Sequence, residues 1–175
     1  MKRPTVLIVD DTPDNIMLLA RLLKERYNTK IATNGSTALQ IAQATPDLDL
    51  ILLDVMMPGL DGYDTCRQLK GNAATAHIPV IFLTAKSQAD DEATGLALGA
   101  ADYLSKPISP PILFARVATQ VQLGEARRAL AQVESLSREA LALLEQAQAD
   151  AAGAQGTRIV TQIVAEIAQR AARTA

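Results

Sequence analysis

Five polar side chains sit at or just past the ends of apolar strand patterns. Val6-Leu7-Ile8-Val9 runs into Asp10-Asp11, Ile51-Leu52-Leu53 into Asp54, and Ile81-Phe82-Leu83 into Thr84, while Lys106 follows a short run near Ala101 to Tyr103, just before Pro107. Parallel strands deliver their C-terminal ends to one edge, so three acids, a hydroxyl and an ammonium would meet there. Carboxylates crowded in one pocket repel one another unless a cation sits among them. Hard oxygen donors without nitrogen or sulfur select magnesium, with manganese as the alternative. Taken singly, each residue has an ordinary explanation: a turn or capping acid, a strand threonine, a surface lysine. Their joint placement, in one chain order on alternate strand ends, is what points to chemistry.

The elements that must position them alternate along the chain. Short β-branched apolar runs at Thr5 to Val9, Thr29 to Ala32, Leu48 to Leu53, Val80 to Thr84 and Ala101 to Tyr103 read as strands. Unbroken apolar runs suit parallel strands buried on both faces. Helical patterns fall between them, at Asp14 to Tyr27, Ser36 to Ala44, Tyr63 to Leu69, Gln88 to Leu98 and from Ile112 onward, with Pro13 and Ser36 as start signals. Five strands alternating with five helices predict a doubly wound α/β fold with a five-stranded parallel sheet.

Composition bounds what the site can be. The chain has 175 residues, enough for one ordinary domain and something small, and it is 49% hydrophobic and 21% charged, so it can bury a core. A formal net charge of -2 offers no long-range attraction to a polyanion, and no nucleic-acid partner is expected. One cysteine, Cys66, and one histidine, His77, exclude an internal disulfide and a cysteine-built zinc site. No signal-peptide pattern or bilayer-length apolar span is seen, so no membrane partner and a cytoplasmic location are expected.

With these residues in view, the sequence resembles the receiver domain of two-component response regulators, over roughly Pro4 to Val121. The resemblance is carried by Val6-Leu7-Ile8-Val9-Asp10-Asp11, by Leu52-Leu53-Asp54-Val55-Met56-Met57-Pro58-Gly59-Leu60-Asp61-Gly62, by Ile81-Phe82-Leu83-Thr84-Ala85 and by Lys106-Pro107. It implies a flavodoxin-like receiver in which Asp54 is the phosphoacceptor, supplied by a sensor histidine kinase or phosphotransfer protein. It further implies that Mg2+ is bound directly by Asp11 and Asp54, by Asp10 mainly through water, and by the backbone carbonyl of Met56. Thr84 and Lys106 would hold the phosphoryl oxygens, Tyr103 would turn inward as Thr84 moves, and the Lys106-Pro107 bond would be cis. The physics agrees: a carboxylate attacks an anionic phosphate poorly unless metal and ammonium screen the charge. The expected chemistry is self-phosphorylation and autodephosphorylation, without a separate catalytic domain.

Rival α/β readings fail on spacing. A haloacid-dehalogenase-like phosphatase needs Asp-x-Asp after the first strand, where the sequence has Asp10-Asp11-Thr12, and a dinucleotide fold needs G-x-G-x-x-G there. The run Pro107 to Val117 is similar to receivers that precede cyclic-di-GMP phosphodiesterase or diguanylate cyclase domains, whose catalytic signatures are absent from this sequence. The alternative function is therefore a regulatory fragment of such an enzyme.

Residues 1–121 form the expected receiver and residues 122–175 a helical, coiled-coil-like extension. This tail has six arginines, six acids and no lysine or aromatic residue. Leu123, Leu130, Ser137 and Leu144 fall seven apart, with Ala126, Val133, Ala140 and Ala147 on the other seam and Leu136 and Leu143 beside them. The pattern predicts a homodimer through the tail; the competing expectation is a hairpin. A break near 153–156 precedes a short last helix with Ile159, Ile163 and Ile167 as its stripe, and Gly124 is a candidate hinge. The tail lacks histidine, which excludes a kinase dimerisation helix, and Glu166 and Gln169 are the only candidates for a phosphatase-type acid and amide.

Overall fold

The computed structural model describes residues 3–85 and 97–150 and, past these, only Gln162, Ala165 and Glu166. Five parallel strands, β1 (Thr5–Val9), β2 (Asn28–Ala32), β3 (Leu48–Asp54), β4 (Val80–Thr84) and β5 (Asp102–Ser105), pair in the order β2-β1-β3-β4-β5. The helices are α1 (Pro13–Leu23), α2 (Gly35–Gln43), α3 (Gly62–Gly71) and α4 (Pro110–Asp150). The expected helix over Gln88 to Leu98 lies outside the described residues except at its very end, as do the break at 153–156, Gln169 and the stripe Ile159, Ile163 and Ile167.

Alternation along each strand explains the layers. Leu7 and Val9 of β1 join Ile51, Leu53, Val80 and Phe82 on one face of the sheet, under Ala38 and Ala42 of α2 and Cys66 and Leu69 of α3. Val6, Ile8, Leu50, Leu52, Ile81 and Leu83 point the other way, onto Ile16, Leu19 and Leu23 of α1 and Leu113, Val117 and Val121 of α4. Because both faces are covered, β1, β3 and β4 are buried throughout. Each fully buried leucine or isoleucine contributes about 1.5–3 kcal/mol relative to exposure, so these two layers carry most of the fold's stability.

Several boundaries differ from the sequence expectation, for local reasons. Asn34, not Ser36, caps α2: its side-chain oxygen accepts the Thr37 N–H at 2.8 Å, and Ser36 is the second helical residue. Helix α1 stops at Leu23, where residues 24–26 turn so that Tyr27 is buried and β2 can start. Strand β5 lies slightly later than predicted, at Asp102–Ser105, set by its register with Ile81 to Thr84. Helix α4 passes Gly124 without interruption.

The chain divides into two compact units, Met1–Glu125 and Ala126–Ala175. Within the second, Leu130, Val133, Leu141 and Leu144 are exposed, Leu136, Ala140 and Leu143 are half-buried, and Ala147 is buried. Among the described residues, no helix is long and apolar enough to cross a membrane.

Candidate functional site

The register brings the strand ends together. Val9 pairs with Leu53, so Asp10 and Asp54 follow side by side; Thr84 ends β4 opposite Ser105, and Lys106 comes next. Val55 N–H donates to the Leu83 carbonyl at 3.1 Å and Lys106 N–H to the Thr84 carbonyl at 2.7 Å, which carries the pairing up to the site. The Lys106-Pro107 bond is cis, as the resemblance implied.

Asp10 and Asp54 are buried and Asp11 is exposed, and each offers a carboxylate oxygen within 4.8 Å of the others. Lys106 Nζ lies between the two buried acids, 2.8 Å from Asp10 Oδ2 and 3.0 Å from Asp54 Oδ2. Burial pushes the Asp54 carboxyl above its ordinary pKa; the Lys106 ammonium and the Met56 N–H offset part of this, and the Asp10 charge adds to it. Burial works against the Lys106 ammonium, yet hydrogen bonds to Asp10 and Asp54 outweigh it and raise its pKa. Desolvation wins at Asp54, while at Lys106 the two carboxylates that share the one ammonium outweigh it. Three hard oxygen donors with one cation between two of them suit a small divalent metal.

The loop after β3 turns away sharply beside the site. Gly59 takes φ +79°, a conformation open to glycine at little cost. Gly62 is needed for a different reason: a Cβ there would meet the Asp54 carbonyl oxygen at 2.2 Å and Val55 Cα at 2.7 Å, so α3 can start against β3 only without a side chain. Asp61 then caps α3 by accepting the Asp64 N–H at 2.7 Å. The Met56 backbone faces Asp54 through its N–H, while its side chain is exposed.

Thr84 is buried at the strand end. Tyr103, one strand over, is half-buried and packs against the cluster containing Phe82, with the Arg116 guanidinium 5.6 Å from its ring centroid. Arg116 also pairs with Asp102. Sequence reasoning missed Arg116, and it missed Asn15, whose amide donates to both oxygens of Asp10 at 3.0 and 3.1 Å. The available signal was the question of what satisfies a buried strand-end acid five residues upstream.

Residues 6–118 match the family described as the response regulator receiver domain. The chain belongs to this family. Over 118 residues, 67% of its length, this receiver is 50% identical to a Vibrio cholerae protein named "Probable cyclic di-GMP phosphodiesterase". Over 114 residues, 64% of its length, it is 51% identical to the response regulator PleD of Caulobacter vibrioides. The matched stretches are only 26% and 25% of those proteins, so the receiver spans about a quarter of the length of the relatives it matches. Among solved structures, it superposes on the receiver domain of a sensor histidine kinase from Pseudomonas aeruginosa with TM-score 0.64. That match is 28% identical, covers 69% of this chain and 99% of the other, and the other structure has a magnesium ion coordinated in its active site cleft. Receiver domains act in two-component signalling with histidine kinases or phosphotransfer proteins and bind a divalent metal at an acidic cluster. This receiver presents such a cluster in Asp10, Asp11 and Asp54.

Proposed function

We propose that Asp54 accepts a phosphoryl group from the phosphohistidine of a sensor histidine kinase or phosphotransfer protein in the cytoplasm. The observation that carries this is Lys106 Nζ bridging Asp10 and Asp54 beside Asp11, in a chain of the receiver family. Mg2+, with Mn2+ as substitute, would be held by Asp11, Asp54 and the Met56 carbonyl, and by Asp10 through water. When bound, the metal neutralises the acids and screens charge on the transferring phosphoryl group. An Asp54 carboxylate oxygen attacks phosphorus in line; the oxygen–phosphorus bond forms as the phosphorus–nitrogen bond breaks, and the imidazole leaves. Lys106 exchanges part of its carboxylate contact for a phosphoryl oxygen, Thr84 donates its hydroxyl to another, and Tyr103 moves into the space Thr84 vacates.

On this reading residues 1–121 are the receiver and residues 122–175 the output extension, a homodimerising helix that needs no nucleic acid. A second reading, favoured by the 50% identity to the Vibrio protein, makes the receiver the regulatory part of a cyclic-di-GMP phosphodiesterase or diguanylate cyclase. A reading frame that continues past Ala175 into a catalytic domain would select it.

The test of phosphorylation is intact-mass measurement with acetyl phosphate and magnesium. One acid-stable, hydroxylamine-labile adduct is expected, and none with Asp54→Asn. An undiminished adduct on that variant removes Asp54 as acceptor.

A further inference from the structure

Asp10 is fully buried, and a buried carboxylate is stable only when its lone pairs are filled. Its Oδ1 accepts the Thr12 N–H at 2.9 Å and its Oδ2 the Lys106 ammonium at 2.8 Å. Asn15 Nδ2 spans both oxygens, at 3.0 and 3.1 Å. Both oxygens of an ionised carboxylate only accept, so it is the amide nitrogen of Asn15 that must face them. The carboxylate therefore cannot swing about its Cβ–Cγ bond without breaking an Asn15 contact.

The geometry points to Asn15 as a positioning residue that fixes the plane of the Asp10 carboxylate and, through it, the placement of Lys106 and the metal-binding acids. This rests on the phosphoacceptor reading above. Neutral donors from the first turn of α1 take up the side of Asp10 that faces the helix. Lys106 is then shared with Asp54 at 3.0 Å instead of being drawn wholly to Asp10. A carboxylate at position 15 would offer no donor and would add like charge; an aliphatic residue would leave buried lone pairs unfilled. The helix that carries Asn15 is locked to the sheet by Ile16, Leu19 and Leu23, so the amide is held on a rigid element.

Magnesium titration of the whole chain, followed by amide NMR shifts well below the melting temperature, tests this. The wild-type chain is expected to bind saturably. Asn15→Leu, similar in size but without a donor, is expected to weaken binding about tenfold, the lower end of what loss of a hydrogen-bonded partner behind a metal-binding carboxylate produces. Asn15→Ala carries the same expectation and guards against a leucine variant that does not fold. In the metal-free chain, the Lys106 ammonium resonance should also shift in both variants, a readout independent of metal or turnover. Unchanged magnesium affinity in either folded variant, or an unmoved Lys106 resonance, overturns the role of Asn15 and leaves the phosphoacceptor reading intact. A wild-type chain that binds no magnesium overturns that reading and this inference with it.

Discussion

Lys106 holds two buried acids with one ammonium, and the consequence is a measurable dependence on pH. Because burial lifts the Asp54 pKa, the folded chain keeps a proton there that the unfolded chain has released, so stability falls as pH rises through the carboxylate range. Asp54→Asn removes the buried charge and should therefore raise the thermal midpoint of the metal-free chain at neutral pH. The gain should shrink as pH falls below about 4, where the aspartate becomes protonated in both states. A variant no more stable than the wild type at neutral pH would contradict burial as the dominant influence. Lys106 has a raised pKa, so its contribution is intact below the ordinary lysine range and lost as pH climbs through the folded value. At this scale the acids, Thr84 and Lys106 were legible because strand ends announce themselves as polar residues after apolar runs. Asn15 and Arg116 were not: they are helix residues whose importance lies in direction, and spacing alone does not tell which amide faces a buried carboxylate.

The elements were legible wherever an apolar run had no competing reading. Strands β1 and β4 lie where the runs Thr5 to Val9 and Val80 to Thr84 place them, because residues buried on both faces leave no other period. Helix starts were harder, since several residues near a boundary are able to cap it. Asn34 and Ser36 are two such residues, and only the backbone decides between them. Asn34→Ala should cost about 1 kcal/mol of unfolding free energy in a denaturant titration, while Ser36→Ala, exposed within the helix, should stay within about 0.5 kcal/mol of wild type. Equal effects would return the cap to Ser36. Gly62 also belongs here, since periodicity marks a glycine only as a turn residue. Its reason is the 2.2 Å approach to the Asp54 carbonyl oxygen, and Gly62→Ala should cost at least about 2 kcal/mol because backbone must move.

For the whole molecule, the heptad pattern of the tail and the solvent exposure of α4 agree only in part. Leu130, Val133 and Leu144 are exposed, as a seam awaiting a partner requires, but Ala147 of the same pattern is buried and Leu141, outside it, is exposed. The sequence could show that apolar residues recur; which stripe stays open depends on what packs there. Light scattering at tens of micromolar should give a dimeric mass for the whole chain, and Leu130→Asp with Leu144→Asp should return it to a monomer. A monomeric mass for the unaltered chain defeats the dimer. The strand-end pocket of the first unit is proposed to form an acyl phosphate on one particular acid, Asp54. Borohydride reduction of the chain treated with acetyl phosphate and magnesium, followed by peptide mass spectrometry, reads that acid directly, since an aspartyl phosphate is reduced to homoserine. Homoserine is expected at position 54 alone; homoserine at position 10 or 11, or none in a chain that carries the phosphoryl adduct, would contradict Asp54 as the acceptor.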